Sequence, residues 1–73
     1  MEEKHWLFSY DDLAPCLSIV DYGTKEEIRN RISELLKGCS YVRQWVDDGM
    51  TILDYGSHVH FLKVYPAFDV FII

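Results

Sequence analysis

The stretch Thr24-Lys25-Glu26-Glu27-Ile28-Arg29-Asn30-Arg31-Ile32-Ser33-Glu34-Leu35-Leu36-Lys37-Gly38 decides the fold. Thr24-x-x-Glu27 has the form of a capping box, in which the threonine hydroxyl accepts from the amide three residues on and the glutamate reaches back. Ile28, Ile32, Leu35 and Leu36 then recur at helical spacing and make one apolar stripe. Glu27 and Arg31 stand four apart as a favourable pair. Lys37 suits the negative end of the helix dipole, and Gly38 sits where helices commonly end in a left-handed turn. The spacing therefore predicts a helix over 25–37. A stripe on one side of a single helix has to cover something flat, and the simplest such surface is a sheet.

The flanking sequence supplies that sheet. Cys16–Asp21 reads as a strand. Residues 40–46, with Tyr41, Val42, Trp45 and Val46, read as another, although Ser40 could also cap a short helix. Asp47-Asp48-Gly49 is a turn that leads into a short strand over 51–55. His58–Tyr65 alternates, with Val59, Phe61, Lys63 and Tyr65 on one side and His58, His60, Leu62 and Val64 on the other. Pro66 ends it. Phe68–Ile73 is a nearly continuous apolar run, which suits a strand covered on both faces or by another subunit. Residues 5–14 read either as a strand from His5 or as a capped helical turn ended by Pro15. Ile19-Val20-Asp21-Tyr22-Gly23-Thr24 is echoed by Ile52-Leu53-Asp54-Tyr55-Gly56-Ser57, and two strands with the same turn chemistry explain that better than a duplication. The expected architecture is one α+β domain over 1–73: an antiparallel or mixed sheet of four to five strands with one amphipathic helix on one face.

Composition bounds the function. The chain has 73 residues, 49% of them apolar, and a net charge of −5 from seven Lys+Arg against twelve Asp+Glu. Low-hydrophobicity disorder and a second domain are excluded by these numbers. The few basic residues are scattered, which speaks against tracking a phosphate backbone. No stretch approaches the ~20 apolar residues of a membrane span. The opening residues Met1-Glu2-Glu3-Lys4 lack the pattern of a secretory signal, so a cytoplasmic setting with reduced thiols is expected.

No catalytic signature stands out. Ser-His-Asp order, a glycine-rich phosphate loop and HExxH are all missing from the sequence. Adjacent acids at Glu2-Glu3, Asp11-Asp12 and Asp47-Asp48 diverge on strands and turns. Cys16 and Cys39 lack a CxxC spacing and are expected to pack as small apolar side chains. His58-x-His60 would put two imidazoles on one strand face, which makes a small metal-binding protein an alternative reading, although no third ligand is indicated. No cofactor is expected, and enzymatic activity is not.

The surface remains. Two Trp, five Tyr and four Phe are many for so small a core, and Tyr and Trp are enriched at interfaces. One helix covers one sheet face and leaves the other without an intramolecular partner. Lys25, Arg29, Arg31 and Lys37 against Glu26, Glu27 and Glu34 leave the helix at +1, so the remainder carries −6, mostly at turns and strand ends. The expected function is a non-enzymatic protein-binding module, a small acidic inhibitor or accessory protein of a basic partner, with Tyr41, Trp45, Asp47, Asp48, Asp54 and Tyr55 as contact residues. A homodimer is a further expectation, with Phe68, Val70, Phe71 and Ile72 at its interface. A weak single-stranded nucleic-acid binder that stacks bases on sheet aromatics is a second alternative, opposed by the charge.

Overall fold

A computed structural model describes residues 3–39, 42–56 and 59–70. Its elements are β1 (Lys4–Asp11), β2 (Cys16–Thr24), α1 (Lys25–Leu35), β3 (Arg43–Asp47), β4 (Met50–Asp54) and β5 (His60–Tyr65). All strands join one antiparallel sheet in the order β2-β1-β5-β4-β3. The expected α+β architecture is present, with one helix packed on the sheet.

The capping box forms as read. Glu27 N–H donates to the Thr24 hydroxyl at 3.3 Å, and a Glu27 carboxylate oxygen accepts from Thr24 N–H at 3.1 Å. Glu27 is thereby drawn away from Arg31, which pairs with Glu34 instead at 3.4 Å. Gly23 is what lets Glu27 fold back this closely, since a Cβ there would stand 3.0 Å from the Glu27 Cβ. The helix ends two residues before the expected boundary. Lys37 N–H turns to the Glu34 carbonyl at 3.3 Å, which tightens the last turn, and Gly38 follows at φ +89°. Ile28, Ile32 and Leu36 are buried as expected, but Leu35 is partly exposed.

The strand boundaries move modestly. β1 resolves the ambiguity of residues 5–14: a strand runs to Asp11, whose carboxylate then accepts from Leu13 N–H at 2.9 Å and starts the turn through Pro15. β2 runs on to Thr24 instead of ending at Asp21, and a bulge at Val20 turns that side chain to the core. β3 begins at Arg43, and the Ser40-Tyr41 part of the expected strand lies outside the described residues. Asp48 (φ +52°) and Gly49 (φ +76°) form a two-residue hairpin loop between β3 and β4. Positive φ at both positions is the geometry that matches strand twist, and Asp-Gly suits it. The two echoed segments differ in detail, because Gly56 takes φ +113° while Gly23 stays within β2.

The C-terminal run departs from expectation. Phe68–Val70 is not a strand. After the cis Tyr65–Pro66 peptide, residues 66–70 lie as a strap across the helix side of β3 and β4. The Thr51 hydroxyl donates to the Phe68 carbonyl at 2.7 Å and accepts from Phe68 N–H at 3.0 Å. Ala67 N–H donates to the Gly49 carbonyl at 3.0 Å. The Gln44 amide donates to the Asp69 carboxylate at 2.6 Å and accepts from Val70 N–H at 3.3 Å. Arg29 donates from α1 to the Asp69 and Val70 carbonyls at 2.7 and 3.2 Å. His5, buried on β1, donates from Nδ1 to the Pro66 carbonyl at 2.6 Å and packs its ring on Phe68, centroids 4.5 Å apart. Helix and strap together close one core, built on Leu7, Ile28, Ile32, Leu53, Leu62, Val64, Phe68 and Val70. Phe68 and Val70, expected at a dimer interface, are therefore used inside the monomer, while Phe71 and Ile72 lie outside the described residues. Thr51→Val keeps the shape but leaves two buried backbone groups of Phe68 unpartnered. We expect it to lower stability by about 2 kcal/mol, read as a shift of the urea midpoint at unchanged slope.

Candidate functional site

The register of the sheet sorts its side chains onto two faces, because partners across an antiparallel pair share a face and neighbours along a strand alternate. His5, Leu7, Thr51, Leu53, Leu62 and Val64 face the helix and strap. The opposite face is crossed by three rows. Tyr22, Trp6 and Tyr65 form one. Ile19, Phe8, Lys63, Ile52 and Trp45 form the next. Leu17, Tyr10, Phe61, Asp54 and Arg43 form the third. Among the described residues no helix or strap covers this face, and most of the aromatic side chains of the molecule stand on it.

The face is organised rather than merely exposed. The Trp6 and Tyr22 rings lie 4.3 Å apart. Phe61 is flanked by Tyr10 at 6.3 Å and by Trp45 at 6.4 Å, the latter nearly edge-on at 83°. Ile52 is buried beneath them as the floor of a shallow groove of about 180 Å³, walled by Tyr10, Trp45, Phe61, Lys63 and Asp47. Three cations stand over these rings. Lys63 Nζ is 4.2 Å from the Tyr10 centroid, the Arg43 guanidinium 5.3 Å from Trp45, and Lys4 Nζ 5.7 Å from Tyr22.

The acids stand at the two ends of the sheet. Asp11 and Asp12 close the β1–β2 end, beside the start of β5, where Asp11 lies 3.9 Å from His60. Asp47, the last residue of β3, and Asp48 of the turn stand at the opposite end. The Tyr10 hydroxyl donates to Asp12 at 3.4 Å. Partial desolvation, then the charges of Asp12 and Asp11, push the Tyr10 phenol above its ordinary range. Burial, then the neighbouring Cys39, Asp11 and Asp54, do the same for Tyr55.

The expected contact residues divide. Trp45 and Asp47 are on the open face, and Asp48 is exposed at its end. Asp54 reaches that face by register but is only 5% exposed, its carboxylate accepting from Gly56 N–H at 3.0 Å, so it serves the turn after β4. Tyr55 packs on the opposite side against the core. Tyr41 lies outside the described residues. Phe8, Tyr22 and Phe61 belong to the open face and were not singled out by sequence, although Trp6-x-Phe8-x-Tyr10 carries the alternation that shows it. Cys16 and Cys39 are free thiols, and both are exposed rather than packed inside. His60 is exposed and its expected companion His58 lies outside the described residues. Among those residues no three His, Cys, Asp or Glu side chains gather as a metal site. No helix there is long and apolar enough to cross a membrane.

The described residues form a five-stranded antiparallel sheet with one helix and a strap on a single side. No protein-family model, no curated protein and no solved structure matches it.

Proposed function

We propose that this protein is a non-enzymatic binding module of the cytoplasm, a small acidic inhibitor or accessory protein that meets a basic protein partner with the helix-free face of its sheet. The observation that carries the reading is that face: aromatic rings in three rows, left uncovered by everything described in the chain. Aromatic side chains there offer large contact area at a low cost in side-chain entropy. A basic partner fits because Asp12, bonded to Tyr10, stands at one end of the face and Asp47 and Asp48 at the other, and the net −5 steers cationic surfaces toward it. A nucleic-acid strand fits less well. Lys4, Arg43 and Lys63 are the cations of this face, and each already rests on an aromatic ring of its own chain.

Differential capture tests the reading. Immobilised wild type is expected to retain a basic protein from an extract of its source organism, less of it as salt rises. The Trp6→Ala/Trp45→Ala double variant should lose that protein, and Ser33→Lys, exposed on the helix, should keep it. Equal retention by all three contradicts the assignment of the face. Capture of nucleic acid alone would replace the protein partner by the stacking alternative.

A further inference from the structure

The two edges of the sheet are built differently. β3 is a short edge of five residues with Arg43 and Asp47 at its ends, and Gln44 ties it to the strap. Short length and charge are devices that stop an edge from pairing with another chain, and so is a bulge, which β2 carries at Val20 and which leaves the run before it as the stretch able to pair. β2 is an edge of nine residues in which Asp21 is the single charged side chain. On its open-face side Leu17 is 51% exposed, Ile19 65% and Tyr22 48%. Trp6, beside Tyr22 on β1, is partly exposed as well, so exposed apolar side chains line the open-face side of this edge.

We infer that β2 is a self-pairing edge, and that a second copy of this chain adds its own β2 antiparallel to it across a two-fold axis. The inference stands apart from the proposed partner on the open face. Its warrant is self-complementarity. A chain of net −5 is repelled by its copy wherever acids would meet, and β2 is a stretch with almost none. It offers a basic protein no row of carboxylates and a nucleic acid no cation. What it offers is backbone donors and acceptors with apolar side chains on one side, which is what a strand of the same kind needs.

The bulge at Val20 sets the register. Regular pairing is confined to the run before it, and an axis at Ser18 pairs Leu17, Ser18 and Ile19 of each copy. Leu17 of each copy then lies opposite Ile19 of the other on the open face, and Asp21 falls outside the paired run. The two sheets become one, and the open faces of both copies point the same way.

Sedimentation of the wild type is expected to show a dimer in reversible exchange with monomer, and Ile19→Lys should raise the dimer Kd at least about tenfold. Ser18→Cys, in a chain with Cys16→Ser and Cys39→Ser, should form a disulfide-linked dimer under mild oxidation, because directly opposed residues of an antiparallel pair bring their Cα atoms to about 4.5–5.5 Å. Ser33→Cys in the same background is the exposed control and should form no more than a trace of disulfide-linked dimer. A monomer at all concentrations overturns the inference, as does a dimer that Ile19→Lys leaves intact or that Ser18→Cys links no better than the control. Ser18 lies opposite Ser9 on the helix side of the sheet, so the cross-link reads the edge without touching the open face, and its failure is distinguishable from loss of capture at Trp6 and Trp45.

Discussion

Replacing Phe68 with alanine is expected to lower stability by about 3–5 kcal/mol, the range for a buried phenylalanine. Phe68 is 9% exposed, and its ring is enclosed by His5 at 4.5 Å and by the Arg29 guanidinium at 5.2 Å. Its backbone is fixed by Thr51 in both directions, so the strap cannot easily slide to refill the space. A domain of this size has on the order of 4–11 kcal/mol in total, so the variant should lose between about a quarter and all of its stability. Thermal unfolding over a wide range of protein concentration checks it. Because Phe68 belongs to the core of the monomer, the loss should be the same at every concentration. A loss that disappears at high concentration would instead place Phe68 between subunits, where its apolar sequence neighbourhood first suggests it.

Trp45→Ala should separate binding from stability. Trp45 is half-buried on edge strand β3, edge-on to Phe61 and beneath Arg43, and it walls the groove over Ile52. It takes no part in the core that the helix and strap close. Its removal is expected to cost about 1 kcal/mol of stability, by the loss of ring contacts. Partner affinity should fall by about 2 kcal/mol or more, roughly thirtyfold, as for an aromatic anchor near the centre of an interface. Titration calorimetry with the captured partner gives the second number and urea unfolding the first. Equal losses in both would make Trp45 a structural residue only.

How far the sequence foretells this molecule depends on whether a feature is local. The helix start is local: Thr24 and Glu27 are three residues apart and satisfy each other. The Asp48-Gly49 turn is local for the same reason. β1 is harder because both of its faces are apolar or aromatic, His5 and Leu7 inward and Trp6 and Phe8 outward, while Asp11 imitates a helix cap. The strap is harder still. What holds Phe68–Val70 out of strand geometry is a set of polar side chains, Arg29, Gln44 and Thr51, that lie 17 to 41 residues away. An apolar run alone cannot reveal them.

The candidate site shows the same division. An uncovered sheet face follows from counting one helix against one sheet. Which residues occupy it follows only from register. Asp54 and Tyr55 illustrate the point: one-residue alternation puts Tyr55 against the core, and the turn after β4 draws in the Asp54 carboxylate. The cations on the face were equally hidden, because Lys4, Arg43 and Lys63 sit on three separate strands that only the sheet order brings together.

The central claim is that the helix-free face is the binding surface, and the two tryptophans report on it directly. Trp6 and Trp45 are the chain's only tryptophans, and both stand on that face. Titration of the isotope-labelled protein with the captured partner should shift both indole N–H resonances while the amides of Asn30 and Ser33 on the exposed side of the helix stay in place. Shifts confined to the helix, with both indole signals unmoved at saturation, would contradict the account.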